Sequence, residues 1–182
     1  MIILAGGSEA NVLAKVGGLA PGIETQFVTK MKNDLMGRLL RYDMQRYRIG
    51  TDHVIWTDDD RNGLCFIEQG LGPITAEGCY DRAGSAMARA EVGEFDLSAL
   101  AGADAFFASG ITMALSESCL KNTELALAAA KRENVPAFID VNYRNKLWSP
   151  TQAHTALTRM IEGGLFTCLV TTETDARVVF GV

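Results

Sequence analysis

Ala137-Phe138-Ile139-Asp140-Val141-Asn142-Tyr143-Arg144-Asn145-Lys146-Leu147-Trp148-Ser149-Pro150 is the segment from which the rest of the chain becomes readable. Its first three residues make an apolar run with the character of a buried strand, and Asp140, Asn142 and Arg144 follow at once. In open α/β sheets, ligands gather at the carboxyl ends of the strands. Alternate residues of an extended chain share a face, so these three polar side chains are expected to point the same way. An acid, an amide and a guanidinium on one edge suit a polyanion better than an apolar guest, and Arg144 could grip a carboxylate or phosphate through two parallel hydrogen bonds. A capped turn with no ligand accounts for the same cluster.

Outward from this segment, strands and helices alternate. Upstream, Ala105 to Ala108 reads as a strand ending at Ser109-Gly110-Ile111. Ser116 then caps a helix in which Leu120, Leu127 and Ala130 face one way and Lys131 and Arg132 close the last turn, where cations suit the helix dipole. Downstream, Thr151 to Glu162 reads as an amphipathic helix, Leu165 to Val170 as a strand and Thr174 to Phe180 as a further helix. This spacing implies a mostly parallel sheet, because parallel strands need a crossover helix. Three strand ends are then expected on one edge: Ser109-Gly110, Asp140 to Arg144, and Thr171 to Asp175.

Toward the amino end, Gly6-Gly7 opens a helix running to about Val16, with Ser8 as cap and Glu9 in the first turn. Thr25 to Thr29 reads as a short strand. Asn33 or Asp34 caps a helix with Met36, Leu40, Met44 and Tyr47 as its core stripe, stopped by Gly50. From Thr51 to Arg82, turn-rich punctuation such as Gly70-Leu71-Gly72-Pro73 between short apolar pieces suggests an inserted antiparallel β flap, with Asp58-Asp59-Asp60 a solvated turn. Tyr80 and Arg82 alternate on one face of that flap, where both could reach a ligand. A solvated edge strand accounts for them equally well.

The 182 residues, 48% hydrophobic and 21% charged, are ordinary globular material for one domain. A net charge of −5 argues against a nucleic-acid partner. No apolar run approaches the roughly 20 residues of a membrane helix. Met1 to Ala5 is too short and lacks the basic start of a signal peptide. Cys65, Cys79, Cys119 and Cys168 form no CxxC pair, so free thiols in a reducing cytoplasm are expected rather than a zinc site. His53 and His154 stand without motif company. Gly6-Gly7 is neither the GxGxxG fingerprint nor a phosphate-binding P-loop, and a plain turn serves as well there.

Four motifs taken in order carry a family resemblance. They are Gly6-Gly7-Ser8-Glu9-Ala10-Asn11, Lys30 to Arg38, Ser109-Gly110-Ile111, and Asp140-Val141-Asn142-Tyr143-Arg144 with Leu147-Trp148. Together they resemble the ribokinase-type (PfkB) carbohydrate kinases, and the 2-keto-3-deoxygluconate kinase branch in particular. The resemblance implies a ribokinase-like three-layer α/β/α sandwich with a mostly parallel sheet and a small β lid. Residues 1–182 would be a partial kinase domain and 51–82 the lid within it. It implies ATP and Mg2+ as cofactors, a sugar acid as substrate, and a homo-oligomer formed through the lid.

Residue by residue, the resemblance places Gly7, Asn11, Tyr80, Arg82, Ile111 and Arg144 around the sugar acid. It places Asn142, Arg144 and Thr172 near the nucleotide phosphates, and Asp175 near the metal, indirectly. There are departures. Cys65 stands where the branch has a second lid tyrosine, and Thr172 and Asp175 stand where the family motif has asparagine and glutamate. The general-base aspartate, which follows a Gly-Ala-Gly run in the family, is expected beyond Val182, as is the nucleotide-base pocket. The chain alone is therefore expected to have little or no kinase activity. Two further readings stay open: a kinase of another sugar or a nucleoside, and a non-catalytic remnant that binds a sugar acid or dimerises.

Overall fold

A computed structural model describes residues 5–20, 22–68, 70 and 77–182. Helix α1 (Ser8–Leu19) begins after Gly7, whose φ of 145° is open to glycine and strained for any L side chain. No side chain caps α1. Ser8, expected to cap, lies inside the first turn, because its hydroxyl is taken by Asn142 from the far end of the fold.

Strands β1 (Thr25–Gln26) and β2 (Thr29–Lys32) precede helix α2 (Leu35–Arg46), and β3 (Ile49–Gly50) and β4 (Val54–Thr57) follow it. β1 pairs with β3 and β2 with β4, both in parallel, making one interrupted βαβ ladder. Met31, Met44, Ile49 and Val54 form its core, with Leu40, Trp56 and Leu13 of α1 packed against them.

Asp34 caps α2. Its Oδ1 accepts from the Gly37 amide at 2.9 Å and from Asn62 Nδ2 at 3.4 Å. Asp34→Ala is expected to cost about 1 kcal/mol, the usual loss for an N-cap, measured by urea unfolding. The expected stripe ends at Met44. Tyr47 falls past the last helical residue and is exposed, and Gly50 belongs to β3 instead of stopping the helix. The chain reverses at Arg48, with φ 60°.

The antiparallel element is narrower than residues 51–82. Val54–Thr57 is committed to the parallel ladder, because its backbone pairs with β2, and among the described residues only β5 (Leu64–Glu68) and β6 (Glu77–Asp81) pair antiparallel. The expected turn at Gly70 to Pro73 lies mostly outside the described residues. The acidic run is solvated only at Asp58 and Asp59. Asp60 meets Arg89 at 3.5 Å and Lys30 at 3.8 Å, and Lys30 pairs with Glu94 at 2.8 Å. Two cations thus draw Asp60 inward.

The second half follows the sequence pattern closely. After 3-10 turns at Met87–Arg89 and Leu97–Leu100 come β7 (Phe106–Ser109), α3 (Gly110–Met113) and α4 (Glu117–Arg132). Then come β8 (Ala137–Asp140), α5 (Pro150–Glu162), β9 (Cys168–Val170) and α6 (Glu173–Phe180). The sheet order is β7-β8-β9, all parallel. Ser116 caps α4 through the Cys119 amide, and Ser149 with Gln152 forms a reciprocal capping box on α5. Leu127, Ile139, Leu157 and Met160 are fully buried between sheet and helices. Among the described residues no helix is long and apolar enough to cross a membrane, and the four cysteines are unpaired.

Candidate active site

The carboxyl ends of β7, β8 and β9 lie side by side, because Ser109 is in register with Asp140 and Asp140 with Val170. Ladder geometry persists one residue further, with the Val141 amide donating to Val170 O at 2.9 Å. Asn142 then adopts φ 38°, in the left-handed region that asparagine tolerates better than most residues. That reversal ends the alternation. The shared face expected of Asp140, Asn142 and Arg144 rested on an extended chain, and the chain leaves that conformation at Asn142.

Each is held differently. Asn142 Nδ2 donates to Ser8 Oγ at 2.9 Å. Arg144 is exposed and donates from Nη1 to the Tyr143 carbonyl at 3.0 Å. Burial raises the Asp140 carboxyl above its ordinary range, and the nearby Asp175 adds to the rise against the opposing pull of the Asn142 backbone and Arg144.

The first turn of α1 closes this edge from the other side. Glu9 Oε1 accepts from the Thr112 hydroxyl at 2.6 Å and from the Ser109 amide at 3.1 Å. Burial lifts the Glu9 carboxyl well above its usual value, although these donors pull it down, and Asp140 lifts it further. A carboxylate raised in the folded state favours folding most below its unfolded pKa. That contribution fades as pH rises through the folded value. At neutral pH, then, Glu9 and Asp140 cost the fold stability. Groups placed at such a cost in one cluster make this edge a candidate functional site.

Thr172 caps α6, its hydroxyl accepting from the Asp175 amide at 3.1 Å. Asp175 Oδ2 accepts from the Tyr143 amide at 3.2 Å, bracing the loop after β8. Ile111 is partly buried at the start of α3, its amide donating to Ser109 Oγ at 3.2 Å. Gly7 is exposed at the mouth of α1. Asn11 is exposed as well, and it lines a separate open hollow of about 570 Å³ with Val12, Lys15, Leu19 and Ile23.

On the hairpin, Tyr80 is in register with Cys65, and the Arg82 guanidinium lies 4.5 Å from the centre of the Tyr80 ring. Burial depresses the Arg82 pKa, and the neighbouring Arg144 depresses it further, while Tyr80 and Cys65 oppose both. The two arginines therefore feel each other's charge. Arg82 Nε is buried and finds no hydrogen-bond partner among the described residues. A partly buried guanidinium with an unused, buried donor, near a second guanidinium, is suited to a carboxylate.

The structure thus gathers Arg82, Tyr80 and Arg144 at one place, and Asp140, Asn142, Asp175 and Ile111 along the strand ends. Asn11 stays on the α1 side, its amide donating to the Gly7 carbonyl at 2.9 Å and its side chain lining the hollow. Sequence reasoning passed over Glu9 and Thr112. Glu9 in a first turn reads as a dipole partner, and nothing local to it signals a donor 100 residues away.

The sequence pattern of the pfkB family carbohydrate kinases matches residues 3–182. A 2-dehydro-3-deoxygalactonokinase of Haloferax volcanii is 34% identical over 173 residues, covering 95% of this chain and 53% of its own length. A 2-dehydro-3-deoxygluconokinase of Thermoproteus tenax is 28% identical over 178 residues, covering 97% and 53%. The crystal structure of the Thermotoga maritima 2-dehydro-3-deoxygluconokinase superposes with a TM-score of 0.90 at 32% identity, covering 97% of this chain and 53% of that one. The chain spans about half the length of the relatives it matches.

Proposed function

The chain belongs to the pfkB family of carbohydrate kinases, and from that premise we propose that the whole protein phosphorylates a sugar acid with ATP. The first candidate is 2-keto-3-deoxygluconate, taken to its 6-phosphate. The observation that carries this reading is the partly buried Arg82, its guanidinium over the Tyr80 ring, near Arg144 and holding a buried, unpartnered Nε among the described residues. A neutral sugar gives two neighbouring guanidiniums nothing to neutralise. A sugar carboxylate does. The galactonate epimer is the second reading, favoured by the Haloferax relative at 34% identity.

Phosphoryl transfer depends on positioning and on stabilising charge, with little covalent work for the protein. In this reading Arg82 and Arg144 hold the substrate carboxylate, with Tyr80 beneath Arg82. Gly7 and Asn11 meet sugar hydroxyls, and Ile111 packs against the sugar chain. Asn142, Arg144 and Thr172 face the nucleotide phosphates. Among the described residues no three His, Cys, Asp or Glu side chains gather to hold a metal. Magnesium usually needs only one or two carboxylates beside waters and substrate phosphates. Asp140 and Asp175, close enough for one to raise the other's pKa, fit that requirement. When bound, the ion would neutralise phosphate charge, and Asp175 would act on it indirectly while bracing Tyr143.

The carboxylates at this edge already have work. Glu9 accepts from Ser109 and Thr112, and Asp175 from Tyr143. On the family resemblance, the base that takes the proton of the attacking hydroxyl is expected outside these 182 residues. General-base catalysis contributes typically about 10²–10⁴-fold. The purified 182-residue polypeptide, given ATP, Mg2+ and 2-keto-3-deoxygluconate, is expected to release no ADP above background, measured by a coupled assay. Sustained turnover would overturn the assignment. We also place self-association on the hairpin, whose exposed Leu64, Phe66 and Ile67 support it.

A further inference from the structure

Consecutive residues of α1 reach two neighbouring strand ends. Ser8 Oγ accepts from Asn142 Nδ2 after β8, and Glu9 Oε1 accepts from the Ser109 amide and the Thr112 hydroxyl after β7. The chain enters α1 through Gly6 and Gly7, both exposed, with Gly7 at φ 145° and no side-chain cap on the helix. Such an entry has little stiffness of its own. Ahead of it the Ala5 amide donates to Asp43 Oδ2 at 2.8 Å, and past the two glycines the α1 amino end is held by what its first turn grips.

Glu9 is the stronger grip, since a carboxylate accepting two donors outweighs a single hydroxyl–amide bond. We propose that Glu9 is a positioning residue: it latches the amino end of α1 onto the β7–α3 turn and thereby sets the spacing between Gly7 and Ile111 across the sugar pocket. The latch itself is independent of the substrate, while its role in the pocket rests on the sugar-acid reading above. Because the grip works through hydrogen-bond acceptance, an amide in place of the carboxylate should preserve it.

The test follows single-amide hydrogen exchange in the unliganded 182-residue chain, beside calorimetric titration with 2-keto-3-deoxygluconate. In Glu9→Ala the Ser109 amide should exchange at least about tenfold faster relative to Leu127 and Leu157, the factor expected when a buried donor loses its partner. Keto-acid affinity should fall by a similar factor. Glu9→Gln should restore both. Thr112→Val, which removes only the hydroxyl donor, should loosen Ser109 and weaken binding by a smaller factor, and it serves where Glu9→Ala does not fold.

Unchanged Ser109 exchange in these variants, or a rise shared equally by Leu127 and Leu157, overturns the latch. Loosened Ser109 with unchanged keto-acid affinity overturns the positioning role. If the wild-type chain takes up no keto acid, the substrate assignment fails instead, and Ser109 exchange alone decides the latch.

Discussion

Gly110→Ala is expected to lower the unfolding free energy by about 3 kcal/mol, at the upper end of the range for overpacking a core. Gly110 is buried at the start of α3, where β7 gives way to helix beside the end of β8. A Cβ there would sit 3.1 Å from the Val141 carbonyl carbon and inside contact distance of its oxygen. Both atoms are backbone, so no side-chain rotation relieves the clash. Val141 is itself fully buried and tied to β9 through its amide. Relief must come from separating β7 from β8 at the edge that carries the site.

Gly18→Ala is the matching control. It lies exposed in α1 with nothing within 4 Å of a new Cβ, and alanine there should stabilise by about 0.5–1 kcal/mol. Urea unfolding followed by circular dichroism reads both variants. Equal midpoints for Gly110→Ala and wild type would show that the strand ends are not packed as closely as described.

The second large effect concerns binding. Arg82→Ala and Arg144→Ala are each expected to weaken 2-keto-3-deoxygluconate binding by about 1.5–3 kcal/mol, the scale of charge-assisted hydrogen bonds. The two losses should not add simply, because the guanidiniums repel each other when the pocket is empty. Removing either one relieves that repulsion, so the double variant should lose less than the sum. Calorimetric titration of the two single variants and the double checks this. Unchanged affinity in both single variants would leave Arg82 and Arg144 as surface charges and remove the main support for a sugar acid.

How far the sequence carried these conclusions differs between the halves. Beyond residue 105 it specified nearly every element, because buried strands such as Phe106–Ser109 and Ala137–Asp140 alternate with amphipathic, well-capped helices. There, local pattern and tertiary demand agree. Before residue 83 it was less complete. Val54–Thr57 falls in the stretch that turn-rich punctuation assigns to the flap, since the sequence marks an apolar strand without naming its partner. Pairing with β2 decided the matter. Asp60 shows the same limit, because an acidic run looks solvated until Lys30 and Arg89 arrive from elsewhere in the chain.

The candidate site divides along the same line. Residue identity placed Asp140, Asn142, Arg144, Tyr80 and Arg82 in view, because polar groups after an apolar strand and on a flap stand out against their surroundings. Identity and spacing also carried the parallel order of the last three strands, since hydrophobic periodicity is a local property. Only the tertiary structure decided what those side chains hold. Asn142 is turned by a left-handed φ toward Ser8, Glu9 is drawn to Ser109 and Thr112, and Arg82 is brought under the influence of Arg144. Contacts between distant parts of the sequence leave no periodic trace in a chain, because they depend on where the elements pack.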